Sequence, residues 1–149
     1  MSFFNIITNE KTLRQKCDLV DKTEIETNAM QSFLQDMFKT LESANGIGLA
    51  APQVGVSSQI CIINLWNQRL VLINPQIIRY SRKKEISEEG CLSFPRKFIP
   101  VQRAKKIKIK YLDEKGKKRK VKVRDLLARV IQHEVDHLNG ILFIDRQIK

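Results

Sequence analysis

The two histidines of this 149-residue chain lie four positions apart in Gln132-His133-Glu134-Val135-Asp136-His137, with a glutamate directly after the first. On a helix that spacing is about one turn, so both imidazoles can face one ion while Glu134 stands beside them. The chemistry this pattern implies is hydrolysis by metal-activated water, with the glutamate as general base. A lone buried histidine is usually satisfied by a backbone carbonyl, but two at this spacing around a glutamate are poorly explained that way. A hydrolytic metal site takes three protein ligands and keeps one position open. Downstream of His137 the only candidate third ligand is Asp145, which makes the chain a weak fit to HExxH endopeptidases. An upstream ligand is the better expectation. Cys91, in Glu89-Gly90-Cys91-Leu92-Ser93, sits in what reads as a polar-glycine turn holding a thiolate in the open. Thiolates are strong ligands for divalent iron, cobalt, nickel and zinc.

These residues need elements to hold them. Asp125 is the expected N-cap of a helix from Leu126 to about Leu138, and Asn139-Gly140 supplies its left-handed stop. That helix is apolar nearly all round its middle, which predicts a buried element. From about Glu24 to Ser43, Met30, Phe33, Leu34, Met37, Phe38 and Leu41 recur at helical spacing, an amphipathic helix resting on a core. Gln59 to Leu65 and Leu70 to Ile73 read as strands, with Asn74-Pro75 ending the second and Gln76 to Tyr80 a further short one. The predicted class is α+β: antiparallel sheets packed around a central HExxH helix, with an N-terminal amphipathic helix, in one domain spanning residues 1–149.

The formal net charge is +11, and most of it is local. Twelve of the 27 basic residues but only two of the 16 acidic ones lie between Arg103 and Arg124, a local +10 that leaves the rest at +1. Lys106 to Tyr111 and Lys120 to Arg124 alternate polar and apolar around Asp113-Glu114-Lys115-Gly116, which predicts a hairpin with one lysine face in water. Two accounts of that face compete, a solvated edge that resists aggregation and a weak contact with RNA or a ribosome. The first is favoured because no aromatic residues interleave with the lysines to stack bases. Cys17, Cys61 and Cys91 are too few and too unevenly spaced for a disulfide framework, and Cys61 reads as strand filler. No apolar run is long enough to span a membrane and the start resembles no targeting peptide, so the expected location is cytoplasmic, or an organelle matrix for an organelle-encoded chain. Two rival classes stay open on the residues alone: another metal hydrolase such as a peptidase, and a basic nucleic-acid-binding protein with a structural metal.

Gly46-Ile47-Gly48-Leu49-Ala50-Ala51-Pro52-Gln53, Glu89-Gly90-Cys91-Leu92-Ser93 and Gln132-His133-Glu134-Val135-Asp136-His137 resemble, in order, the three signature motifs of bacterial peptide deformylases. The similarity runs from near residue 5 to about Arg146. It implies removal of formyl from the formyl-methionine of nascent polypeptides. It also implies one divalent ion, typically ferrous iron with zinc, nickel or cobalt as alternatives, held by Cys91, His133 and His137. Glu134 takes the role of general base and acid, and the Gln53 amide and the Leu92 backbone N–H stabilise the oxyanion. Gly46, Gly48 and Gly90 admit an extended peptide, while Ile47, His133, Arg129 and Val130 border the methionine pocket. Arg129 stands where an apolar residue is usual, which implies a side chain that narrows the pocket or reaches across its mouth, or one whose stem serves as pocket wall with its guanidinium in water. The sequence ends at Lys149, short of the C-terminal helix by which some members contact the ribosome, which leaves the lysine hairpin as the candidate for any such contact.

Overall fold

Seven strands and three helices organise the computed structural model, which describes residues 4–148. In chain order they are α1 (Glu10–Leu13), α2 (Asn28–Ser43), β1 (Gly48–Ala50), β2 (Ile60–Leu65), β3 (Gln68–Tyr80), β4 (Lys84–Cys91), β5 (Phe94–Ala104), β6 (Lys106–Leu112), β7 (Lys118–Arg124) and α3 (Asp125–Leu138). Five strands form one sheet in the order β1-β2-β3-β6-β7, and β4 pairs with β5 in a separate two-stranded sheet. Every pairing between these strands is antiparallel, so the fold is α+β. Among the described residues no helix is long and apolar enough to cross a membrane.

Around β2 the main sheet is buried on both faces, which is why Ile60-Cys61-Ile62-Ile63 is apolar without alternation. Cys61, Ile63, Leu72, Ile107 and Ile109 pack against Ala128, Ile131, Val135 and Leu138 of α3. On the other face Ile60, Ile62, Val71 and Ile73 meet Leu34, Met37, Phe38 and Leu41 of α2. Cys17 and Cys61 are buried free thiols within the first of these cores.

Several local expectations need correction. The long helix begins at Asn28 rather than near Glu24, because the Thr27 hydroxyl accepts from Met30 N at 3.2 Å and caps it there. Residues Lys22–Glu24 form a separate single turn. Asn74-Pro75 does not end a strand. Asn74 takes φ 51°, and its side chain accepts from Val20 N at 2.8 Å and donates to Val20 O at 2.9 Å. The register slips between Ile73 and Gln76 and β3 then continues to Tyr80, a bulge absorbing the N–H that Pro75 lacks.

Asp125 is the first residue of α3 and not its N-cap. Its φ of 57° turns the chain sharply out of β7, and its N–H donates to Lys105 O at 2.8 Å. At the far end Gly140 takes φ 74° and donates to His137 O at 3.1 Å, closing α3 in a left-handed stop. In the β6–β7 turn the Asp113 carboxylate accepts from Lys115 N, Lys117 N and Arg119 Nε at 2.9–3.0 Å.

Candidate active site

Cys91 reaches the site from the last position of β4, beside a register shift at Gly90/Cys91, and not from a free polar turn. The bulge turns the side chain inward, where Cys91 is half-buried. His133 and His137 come from α3, one turn apart, with ring centroids 5.1 Å from each other. The Cys91 Sγ lies 3.3 Å from His137 Nε2, and the candidate ligand atoms of all three residues lie within 4.8 Å of one another. Among the described residues this is the one such group of His, Cys, Asp or Glu.

Supporting contacts orient each member. His133 Nδ1 lies 2.9 Å from Glu89 Oε1, so an Nδ1–H donated to that carboxylate leaves Nε2 free to face Cys91. Glu89 is held in turn by Arg103, through Nε at 2.9 Å and Nη2 at 3.0 Å. Arg103 also donates to Asp136, which Arg146 grips at 3.1–3.2 Å. Gln132 locks α3 to β5, donating to Ala104 O at 2.9 Å and accepting from Ala104 N at 3.1 Å. Gln53 accepts from Ala50 N at 3.0 Å through Oε1, which aims its NH₂ at Ser93 Oγ (3.1 Å) and Cys91 Sγ (3.7 Å).

The electrostatics follow from burial and these partners. Burial disfavours the charged form of Glu89, yet hydrogen bonds from His133 and Arg103 outweigh it and bring its carboxyl down to about 2. Burial pushes Glu134 up to about 7, against the opposing pull of the His133 charge. Burial lowers His133, but hydrogen bonds with Cys91 and Glu89 overcome it and lift it to about 10. Burial and the His133 charge together push His137 down to about 3. The two imidazoles are thus pushed in opposite directions, His133 towards its charged form and His137 away from it, a pattern a metal ion would replace with its own charge. Glu134 Oε1 and His137 Nδ1 are buried without a hydrogen-bond partner among the described residues.

A cavity of about 450 Å³ opens over this group. Gly46, Ile47, Gly48, Gln53, Gly90, Cys91, Leu92, Arg129, Val130, His133 and Glu134 all line it, and His137, the one singled-out residue that does not, is buried against Cys91. Gly48 is needed there because a Cβ would lie 2.6 Å from Glu134 Oε2. Gly90 serves the Phe98 ring, whose Cε1 would be 2.7 Å from such a Cβ.

Arg129 differs from expectation. Its guanidinium does not lie in water but donates to Glu89 Oε2 at 2.6 Å, Val101 O at 3.0 Å and Glu85 O at 2.7 Å, with the side chain 11% exposed. Sequence reasoning also missed Arg103, counting it with the lysine hairpin. A signal was present: Ile99, Val101 and Arg103 alternate along β5, so the arginine occupies an inward position and is buried.

Residues 5–149 match the family described as polypeptide deformylase. A peptide deformylase of Clostridium botulinum is 44% identical over 140 residues, covering 94% of this chain and 92% of that protein. The crystal structure of a peptide deformylase from Synechococcus elongatus in complex with actinonin superposes with a TM-score of 0.94 at 40% identity, covering 100% of this chain and 81% of that one. A class I type b peptide deformylase from Acinetobacter baumannii with Met-Ala-Ser bound gives a TM-score of 0.93 at 34% identity, covering 98% and 99% of the two chains. The chain belongs to the polypeptide deformylase family and is a hydrolase of that kind.

Proposed function

We propose that this enzyme removes the formyl group from N-terminal formyl-methionine of nascent polypeptides, with α3 as a central helix that binds one divalent ion through Cys91, His133 and His137. The observation that carries this reading is a cysteine sulfur and two imidazoles converging beside a buried carboxylate whose Oε1 lacks a partner among the described residues, all under one cavity. One thiolate and two nitrogens suit ferrous iron, with zinc, nickel or cobalt as alternatives. Such an ion supplies Lewis acidity to an attacking water.

The chain's own residues would do the rest. Glu134, with its carboxyl near neutrality, takes the proton from the attacking water and returns it to the departing amine nitrogen. The carbon–nitrogen bond breaks, leaving formate and a free N-terminal methionine. The Gln53 amide, fixed by Ala50 N, and the Leu92 backbone N–H stabilise the oxyanion as it forms. β1 is an edge strand of the main sheet, and an extended peptide could be added along its free edge. Ile47, Val130 and the aliphatic stem of Arg129 line the cavity where a methionine side chain would rest. The lysine face of β6 and β7 is proposed as a weak polyanion contact, supported by lysines that face one another across the strands and form no ion pair among the described residues.

The test is formate release from formyl-Met-Ala-Ser by protein purified without oxygen and reloaded with ferrous iron. Turnover that Glu134→Ala lowers by about 10²–10⁴-fold is expected for loss of a general acid–base. No turnover with iron, nickel or cobalt would overturn the reading.

A further inference from the structure

The proposed ligands come from two elements that share no strand pairing: Cys91 from the β4–β5 hairpin, His133 and His137 from α3. Their separation is therefore set by side chains that cross between these elements. Arg129, one turn before His133, makes such a crossing with both strands at once. Nη2 donates to Glu85 O on β4 at 2.7 Å, and Nη1 donates to Val101 O on β5 at 3.0 Å. The same Nη1 donates to Glu89 Oε2 at 2.6 Å, and Glu89 Oε1 faces His133 Nδ1. We propose that Arg129 is a positioning residue for the metal site, holding the hairpin at the distance from α3 that lets Cys91 and the two histidines close on one ion.

Two features favour this over a role as cavity wall alone. The planar guanidinium suits three acceptors lying on different elements, which a single ammonium cannot span in the same way. Glu89 also keeps both of its bonds from Arg103, and Gln132 still ties α3 to Ala104, so loss of Arg129 loosens the hairpin around Glu85 and Val101 without stranding that carboxylate. The inference rests on the reading of Cys91, His133 and His137 as ligands.

The experiment compares the full chain with Arg129→Met, which keeps an apolar stem, and Arg129→Lys, which keeps the charge. Zinc affinity is measured by chelator competition, and the cobalt-loaded forms are compared by their thiolate charge-transfer and visible bands. Arg129→Met is expected to bind zinc about 10–100-fold more weakly, the usual effect of removing a group that supports a ligand. Its cobalt bands should shift, and kcat for formyl-Met-Ala-Ser should fall more than KM changes. Arg129→Lys should recover part of the affinity. Unchanged zinc affinity and cobalt bands in both variants, with or without a lower Tm, would make Arg129 merely structural and overturn the proposal. A wild-type cobalt form without a thiolate band would instead bring down the ligand reading itself, and this proposal with it.

Discussion

Glu134 is confined by a residue that has no side chain. A Cβ at Gly48 would sit 2.6 Å from Glu134 Oε2 and 3.0 Å from its Cδ, so Gly48→Ala must move the carboxylate. Misplacing a catalytic group by about 1 Å can cost on the order of 10² in rate. That loss is expected in formate release, with circular dichroism unchanged; wild-type turnover would show that Glu134 is not held by this contact. Glu89 makes a pH prediction. Its carboxyl is lowered from 4.5 to about 2, so the ionised form stabilises the fold above the unfolded value. That contribution is lost as pH falls from 4.5 towards 2. The Tm gap between wild type and Glu89→Gln should therefore be full at neutral pH and narrow across that window. A gap independent of pH would remove the electrostatic explanation.

At the scale of elements, α3 is fixed at both ends by backbone that few residues tolerate. Gly140 ends it at φ 74°, and a Cβ there would come within 2.3 Å of Arg14 O. Arg14 itself pairs with Asp145 at 2.9–3.0 Å, so this corner joins the N-terminal segment to the chain beyond α3. Gly140→Ala combines left-handed strain with a backbone clash and should destabilise by about 2 kcal/mol or more. For a chain of this length, that corresponds to a drop in Tm of roughly 4–8 °C by calorimetry. A Tm within a degree of wild type would mean that the corner relaxes freely.

Across the whole molecule the charge is arranged by the sheet. Lys106, Lys108 and Lys110 of β6 stand opposite Arg124, Lys122 and Lys120 of β7, like charges facing directly across the strands. None of the five lysines forms an ion pair among the described residues. Edge protection accounts for β7 but not for β6, an interior strand. The cavity is lined from β1, at the opposite edge of the main sheet, so a polyanion on the ladder leaves it accessible. Binding of a duplex RNA should weaken with salt, and Lys110→Gln/Lys122→Gln should reduce the log–log slope by about 2. The matched variant Lys11→Gln/Lys16→Gln should leave it unchanged. Equal effects in both variants would return the ladder to plain solvation.

The sequence by itself carried the chemistry of the site. Spacing on one helix is local, so His133 and His137 had to share a face, and the alternation of Lys106 to Tyr111 had to make a two-sided strand. Both properties follow from the backbone repeat. What only tertiary structure decided depends on which elements meet. Asn74 became a bulge and not a strand end because Val20, 54 residues away, hydrogen bonds to its side chain. Arg103 left the solvated face for the interior because Glu89 and Asp136 arrive there to neutralise it. Arg129 turned from water to the β4–β5 hairpin for the same reason: a carboxylate and two carbonyls brought close by folding bind a guanidinium that its own sequence neighbours do not.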